Sequence, residues 1–182
     1  IKYFSRSKNN KWLSAFNVGE PFTYDGYEYP SVEHAFHAQK IDPEDPKADE
    51  YKTKLSNKDL KPNEAKKLGG KKSFKENNYL FRKDWDQIKL NLMKEITEKY
   101  YKNNPELLEK LKETGSKELV HTGPLIDSFW GINKKGGENN HGKILMEIRE
   151  KLSLKTNKTK KDKPKKFKKN KPKKLTKEGK KW

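Results

Sequence analysis

The chain contains no cysteine, which excludes a disulfide framework, a thiolate metal site and a cysteine nucleophile, and leaves no argument for an oxidising compartment. Long apolar runs are missing too. No stretch approaches the ~20 residues that a membrane span needs, and no signal-peptide pattern stands at the start. The sequence therefore reads as that of an intracellular protein, cytoplasmic or nuclear, with no membrane partner. Hydrophobic residues fill only 30% of the 182 positions and charged residues 38%, so the 8 Tyr, 8 Phe and 4 Trp must supply much of the buried surface.

Lysine is what the chain has in excess. Lys and Arg total 44 against 26 Asp and Glu, a net charge of +18. Residues 155–182 hold 15 Lys and 2 acidic residues, so most of that charge lies there and residues 1–154 are only mildly basic. The segment is Lys with Pro and Asn and almost no apolar periodicity, a composition that cannot offset its ordering entropy. It is expected to be a disordered basic tail behind one compact domain, 1–154. Two readings stand for it: an arm that binds DNA or RNA by counterion release, or a passive solubilising or targeting extension.

Within 1–154 the patterning is mainly α with a small β element. Asp25-Gly26 among aromatics in PFTYDGYEYP is the sequence of a tight hairpin. Ser31 caps a helix running to about Ile41, stopped by Pro43 and Pro46. Further helices are expected at 47–56, from Pro62 to Gly69-Gly70, at 84–102 on the Trp85, Ile88, Leu92, Ile96 spacing, and from Pro105 to about Glu113. A short extended piece at Glu118–His121 and an irregular stretch from Thr122 to Asn140 precede a last helix with Ile144, Leu145, Ile148 and Leu152 inward.

Two places could carry chemistry. In SVEHAFHAQK the stripe Val32, Ala35, Phe36, Gln39 faces inward. Glu33 and Lys40, seven residues apart, share a second wall with His37 beside them. A carboxylate and an amine so placed can grip two ends of a nucleotide-sized molecule; equally, each can complement the helix dipole. The second place is HTGPLIDSFWGINKKGGENNHG, long for an irregular segment, with Asp127, Trp130 and glycines, Gly131 among them, that allow close backbone approach. Asp127 can equally cap a turn, and Trp85 can equally be a core residue. His34, His37, His121 and His141 have no ligand spacing, and neither Gly69-Gly70 nor Gly136-Gly137 forms a phosphate loop, so neither metal nor cofactor is expected.

The blocks LSAF, PFTYDGYEYPSVEHAFHAQK, FRKDWDQIKLNLM, ELVHT and DSFWGINKKGGENNHGKILMEIREKL, in this order, resemble the NADAR family, the YbiA-like N-glycosidases, over roughly residues 3–153. The motifs are S-x-E-H with a Lys seven residues after the Glu, R-x-x-W, D-x-x-W-G, and N-x-x-G-x-x-L-M-x-x-R. The resemblance implies a mainly α fold and cleavage of an N-glycosidic bond to a ribose-type sugar. The substrates it implies are ADP-ribose on guanine bases or the phosphoribosyl-aminopyrimidine intermediates of riboflavin synthesis. Carried over by motif, it makes Glu33, Lys40 and Asp127 catalytic, with Lys40 a Schiff-base nucleophile at the sugar C1. Trp85, Trp130, Gly131, Arg82, His37 and Asn139 become substrate-binding residues. The chemistry suits these residue types: a carboxylate stabilises an oxocarbenium-like sugar, tryptophans offer flat faces to a base, and Arg82 with Lys83 suits a phosphate. Lys40 can attack only if its pKa falls well below ~10.4. His141 stands where an apolar residue is usual, and Ile132-Asn133-Lys134 replaces a stretch richer in glycine and acid. The competing class is a non-enzymatic module that binds nucleic acid or ADP-ribose through the basic tail.

Overall fold

The computed structural model describes residues 1–161. Among them seven α-helices surround two small two-stranded sheets. Strand β1 (Lys2–Tyr3) pairs in parallel with β4 (Val120–His121), which sets Tyr3 beside His121. Strands β2 (Phe22–Tyr24) and β3 (Tyr27–Tyr29) form the expected hairpin. Its turn residues Asp25 and Gly26 both take positive φ, 48° and 80°, which matches the strand twist and is tolerated best by Asp, Asn and Gly.

Helix α1 (Val32–Ala38) starts where Ser31 Oγ accepts the His34 backbone N–H at 3.3 Å. It stops three residues short of the expected Ile41, because Ile41 bridges to Phe81 in the extended form instead. The Arg82 N–H donates to the Lys40 carbonyl at 2.8 Å, so the end of α1 is tied to the segment that opens α5. Helices α2 (Ala48–Leu55) and α3 (Pro62–Leu68) fall where the breakers placed them, α3 with Pro in its first turn and the Lys61 N–H donating to Glu64 Oε2 at 2.7 Å. Helix α4 (Lys71–Asn77) has no counterpart in the sequence reading. It is polar apart from buried Phe74 and ends on Asn78 at φ 52°.

Helix α5 (Trp85–Asn103) is the central long helix, followed by α6 (Pro105–Glu113) and α7 (Asn140–Lys161). The core is aromatic as the composition demanded: Tyr3, Tyr29, Tyr51, Tyr100 and Tyr101 are all fully buried. The α7 backbone continues seven residues beyond the 154/155 boundary; the rest of the expected tail, 162–182, lies outside the described residues. No helix among the described residues is long and apolar enough to cross a membrane.

Candidate active site

A cavity of about 900 Å³ opens between α1, α3, α5, the N-terminal segment, the 121–130 segment and His141 at the start of α7. That volume lies near the upper end of the ~300–1,000 Å³ range of small-molecule sites. All seven residues of α1 are buried, so the helix has no solvent face; the wall carrying Glu33 and His37 turns inward onto this cavity. Phe36, expected as plain core, lines it too.

His37 Nε2 donates to Glu33 Oε1 at 2.7 Å across one helical turn. Burial pushes the His37 pKa down, more than the adjacent carboxylate raises it, so the ring is neutral and its Nε2–H is the donor. Burial also works to raise the Glu33 pKa, but His37, Lys66 and Lys40 outweigh it and the group lies below the usual carboxylate range. The result is a buried carboxylate that stays ionised. His37 in turn packs on the Gly69 backbone, where a Cβ would stand 2.2 Å from Nδ1; only glycine lets α3 end so close to α1.

Lys40 Nζ donates to the Gly69 carbonyl at 3.0 Å and lies 5.6 Å from the centre of the Trp85 ring. Burial pushes its pKa down; Glu33 opposes this, Lys66 and Lys89 reinforce it, and the value falls to about 8. Trp85, the first residue of α5, is buried against Phe36 at 4.9 Å between ring centres. Trp130 meets the same Phe36 edge-on at 5.5 Å. The two tryptophans therefore flank one phenylalanine and build an aromatic wall.

Asp127 caps its own turn: Oδ1 accepts the Phe129 N–H at 2.8 Å and the Trp130 N–H at 3.4 Å. The turn is closed by Gly131 N–H to the Asp127 carbonyl at 2.9 Å, which aims the Asp127 and Trp130 side chains at the cavity they both line. Asp127 is exposed at the rim, and Oδ2 makes no hydrogen bond or ion pair among the described residues.

Glu33, His37, Lys40, Trp85, Asp127 and Trp130 are thus brought to one cavity; Arg82, Gly131 and Asn139 are not among its lining residues. Arg82 pairs with Asp84 at 2.8 Å in the turn before α5. Gly131 is the close approach of one piece of protein backbone to another, with the His121 carbonyl 2.4 Å from where a Cβ would stand. Asn139, at φ 55°, donates to the Leu119 carbonyl and accepts the His121 N–H, joining β4 to the start of α7.

The sequence reading did not single out Lys66 and Lys89, which carry two further positive charges into the lining. It also missed the group formed by Tyr3, His121 and His141. There Tyr3 Oη lies 2.6 Å from His141 Nδ1, and burial, helped by His121, pushes the His141 pKa down to about 3. Parallel pairing of β1 with β4 brings Tyr3 to His121, more than a hundred positions away, and the start of α7 supplies His141. No three His, Asp or Glu side chains form a metal-holding group among the described residues.

One nucleotide-sized cavity thus brings together a buried ionised carboxylate, an amine with a lowered pKa and an aromatic wall. Comparison with known proteins supplies the family. The NADAR domain family model matches residues 3–153. The N-glycosidase YbiA of Escherichia coli is 31% identical over 156 residues, 85% of this chain and 89% of that protein. Its NMR structure superposes with a TM-score of 0.70 at 27% identity, covering 92% of this chain and 90% of the other. An N-glycosidase of Nostoc punctiforme is 40% identical over 72 residues, a match spanning 39% of this chain and under half, 46%, of that protein. A riboflavin biosynthesis protein of Vibrio vulnificus is 30% identical over 84% of this chain and 38% of its own length. Fold and relatives together define a hydrolase of the glycosidase class. The chain belongs to the NADAR domain family.

Proposed function

We propose that this glycosidase hydrolyses the N-glycosidic bond between a ribose-type sugar and a base, with Glu33, Lys40 and Asp127 as the reacting side chains. The observation that carries the reading is Lys40, an amine pushed to about 8 beside an ionised carboxylate in a nucleotide-sized cavity. At neutral pH roughly a tenth of such an amine is unprotonated, against about one part in 10³ for an ordinary lysine.

In this reading the Nζ lone pair attacks the sugar C1 as the C–N bond to the base breaks, and the base leaves with a proton that Asp127 relays from solvent. Glu33 stabilises the positive charge that develops on the sugar, and His37 holds Glu33 in place. Nζ then gives up both of its protons, one to solvent in balance with the proton taken by the base and one to the ring oxygen, which becomes a hydroxyl, and an imine joins Lys40 to the opened sugar. Water adds to the imine, the amine departs, and free sugar and Lys40 are restored, so one water is consumed per bond cleaved. Trp85 and Trp130 lie against base and sugar, while Arg82, Gly131 and Asn139 act as supports of the walls.

Two substrates fit this chemistry: ADP-ribose on a guanine base, free or in nucleic acid, and a phosphoribosyl-aminopyrimidine intermediate of riboflavin synthesis. The relative named for riboflavin biosynthesis favours the second. Both are intracellular compounds, in line with the absence of cysteine. The test is to incubate the protein with ADP-ribosyl-guanosine and, separately, with the pyrimidine intermediates, and to measure released base and sugar. Release from one and not the other assigns the substrate, and release from neither refutes the reading.

The 15 Lys of residues 155–182 support a second, separable proposal, association with DNA or RNA by counterion release. Deleting 155–182 flattens the salt dependence of that binding; coincident salt slopes with and without the segment refute it.

A further inference from the structure

Asn63 and Lys66 stand three residues apart on α3, hence on one face of it, and both line the cavity. Two of the lining side chains are carboxylates, Glu33 and Asp127, and four are Lys or Arg. Glu33 is engaged by His37, and one oxygen of Asp127 by its own turn. Lys89 is paired with Asp86 at 3.2 Å, and Lys40 donates to the Gly69 carbonyl. Neither Lys66 nor Arg6 forms an ion pair among the described residues; the Lys66 ammonium lies 5.9 Å from the centre of the Phe16 ring, and Asn63 has no side-chain hydrogen bond there. Both residues are exposed, so an ammonium and an amide stand one turn apart at the mouth of the cavity, open to a ligand that enters it. The charge of Lys66 lowers the pKa of Glu33, His37 and Lys40 alike, all of which line the same cavity.

We infer that the Asn63 and Lys66 face of α3 is an anion subsite that takes a phosphate group carried on the substrate's sugar, and that Lys66 makes the site prefer phosphorylated over plain ribosides. The inference rests on the N-glycosidase reading for the identity of the sugar. A sugar whose C1 meets Lys40 carries its phosphate a few bonds away, and the ammonium with the amide supplies donors to it.

The test is isothermal titration of ribose, ribose 5-phosphate and ADP-ribose into the wild-type protein, Lys66→Met and Lys66→Arg. The wild type is expected to bind ribose 5-phosphate at least ~10-fold more tightly than ribose, the size of one charge-assisted hydrogen bond. In Lys66→Met the ratio falls towards one, and Lys66→Arg keeps most of it. Loss of the ratio with ribose 5-phosphate assigns a terminal monophosphate, and its loss with ADP-ribose alone assigns a diphosphate; either supports the subsite. A purely structural effect of Lys66 weakens ribose and ribose 5-phosphate in parallel, and an unchanged ratio in both arms overturns the inference. Binding is read without turnover. A protein that holds ribose 5-phosphate through Lys66 yet cleaves no N-glycoside defeats the functional reading and leaves the subsite standing.

Discussion

Glu33 and His37 lie one helical turn apart, and the neutral imidazole donates its Nε2 proton to the carboxylate at 2.7 Å inside the protein. Gln in place of Glu33 still accepts that hydrogen bond, so Glu33→Gln keeps α1 and removes only the charge. Because Glu33 raises the pKa of Lys40, the substitution leaves the amine more deprotonated and therefore a readier nucleophile. A loss of kcat above ~100-fold with an unchanged melting temperature is nevertheless expected, since in the proposed reaction the charge acts on the sugar. A rate near wild type would reduce Glu33 to a partner of the helix dipole.

The pH dependence of kcat follows from Lys40. In the proposed reaction the neutral amine attacks, its folded pKa is about 8, and so kcat is expected to rise with pH and level off above about 8. Lys66 lowers the Lys40 pKa, so Lys66→Gln moves this inflection to higher pH. A profile flat from pH 6 to 9 in the wild type would remove Lys40 from the chemistry.

Lys40 also weighs on stability. Its folded pKa lies below the unfolded value of ~10.4, so between about 8 and ~10.4 the unfolded chain holds the extra proton and stability rises with pH. Below about 8 both states are protonated, and the full cost of a buried ammonium is present. Lys40→Met is therefore expected to raise the melting temperature by a few degrees at pH 7 while abolishing turnover. The gain shrinks as pH rises from about 8 towards 10. A lower melting temperature at pH 7 would contradict this.

Asp127 and Trp130 come from one turn and should separate on substitution. Asp127→Asn retains an oxygen able to accept the Phe129 N–H, so the turn persists and kcat falls with little change in KM. Trp130→Ala removes one face of the aromatic wall and chiefly raises KM, by ~10-fold or more, since stacking on a base is worth ~1–3 kcal/mol. Steady-state kinetics on both variants check this. Equal and small effects would return the whole loop to a structural role.

The hairpin, α1, α3, α5 and α7 were legible in the sequence because turn chemistry, caps and 3.6-residue spacing act locally. Helix α4 was not, since its one buried apolar residue, Phe74, leaves no periodicity to read. Strand β1 was missed because two residues become a strand only when Val120 and His121, over a hundred positions away, pair with them. The site divides in the same way. Glu33, His37 and Lys40 were readable as one wall because a single helix carries them. Lys66 sits in an ordinary run of lysines, and only the packing of α3 on α1 sets it apart from Lys67 next door. Arg82 and Asn139 carry the right chemistry for ligand contacts, yet Asp84 holds the one and the β4 backbone the other.

The covalent role of Lys40 is tested most directly by reductive trapping. Borohydride added during turnover should reduce the imine to a stable secondary amine, and mass spectrometry of the digested protein should find the sugar's mass on the peptide containing Lys40. Lys40→Arg keeps the positive charge but cannot lose its proton at working pH, so it should give neither adduct nor turnover. Release of base by Lys40→Arg at the wild-type rate, with no adduct trapped in either protein, would contradict the account and leave Lys40 as a positioning residue beside a direct attack by water.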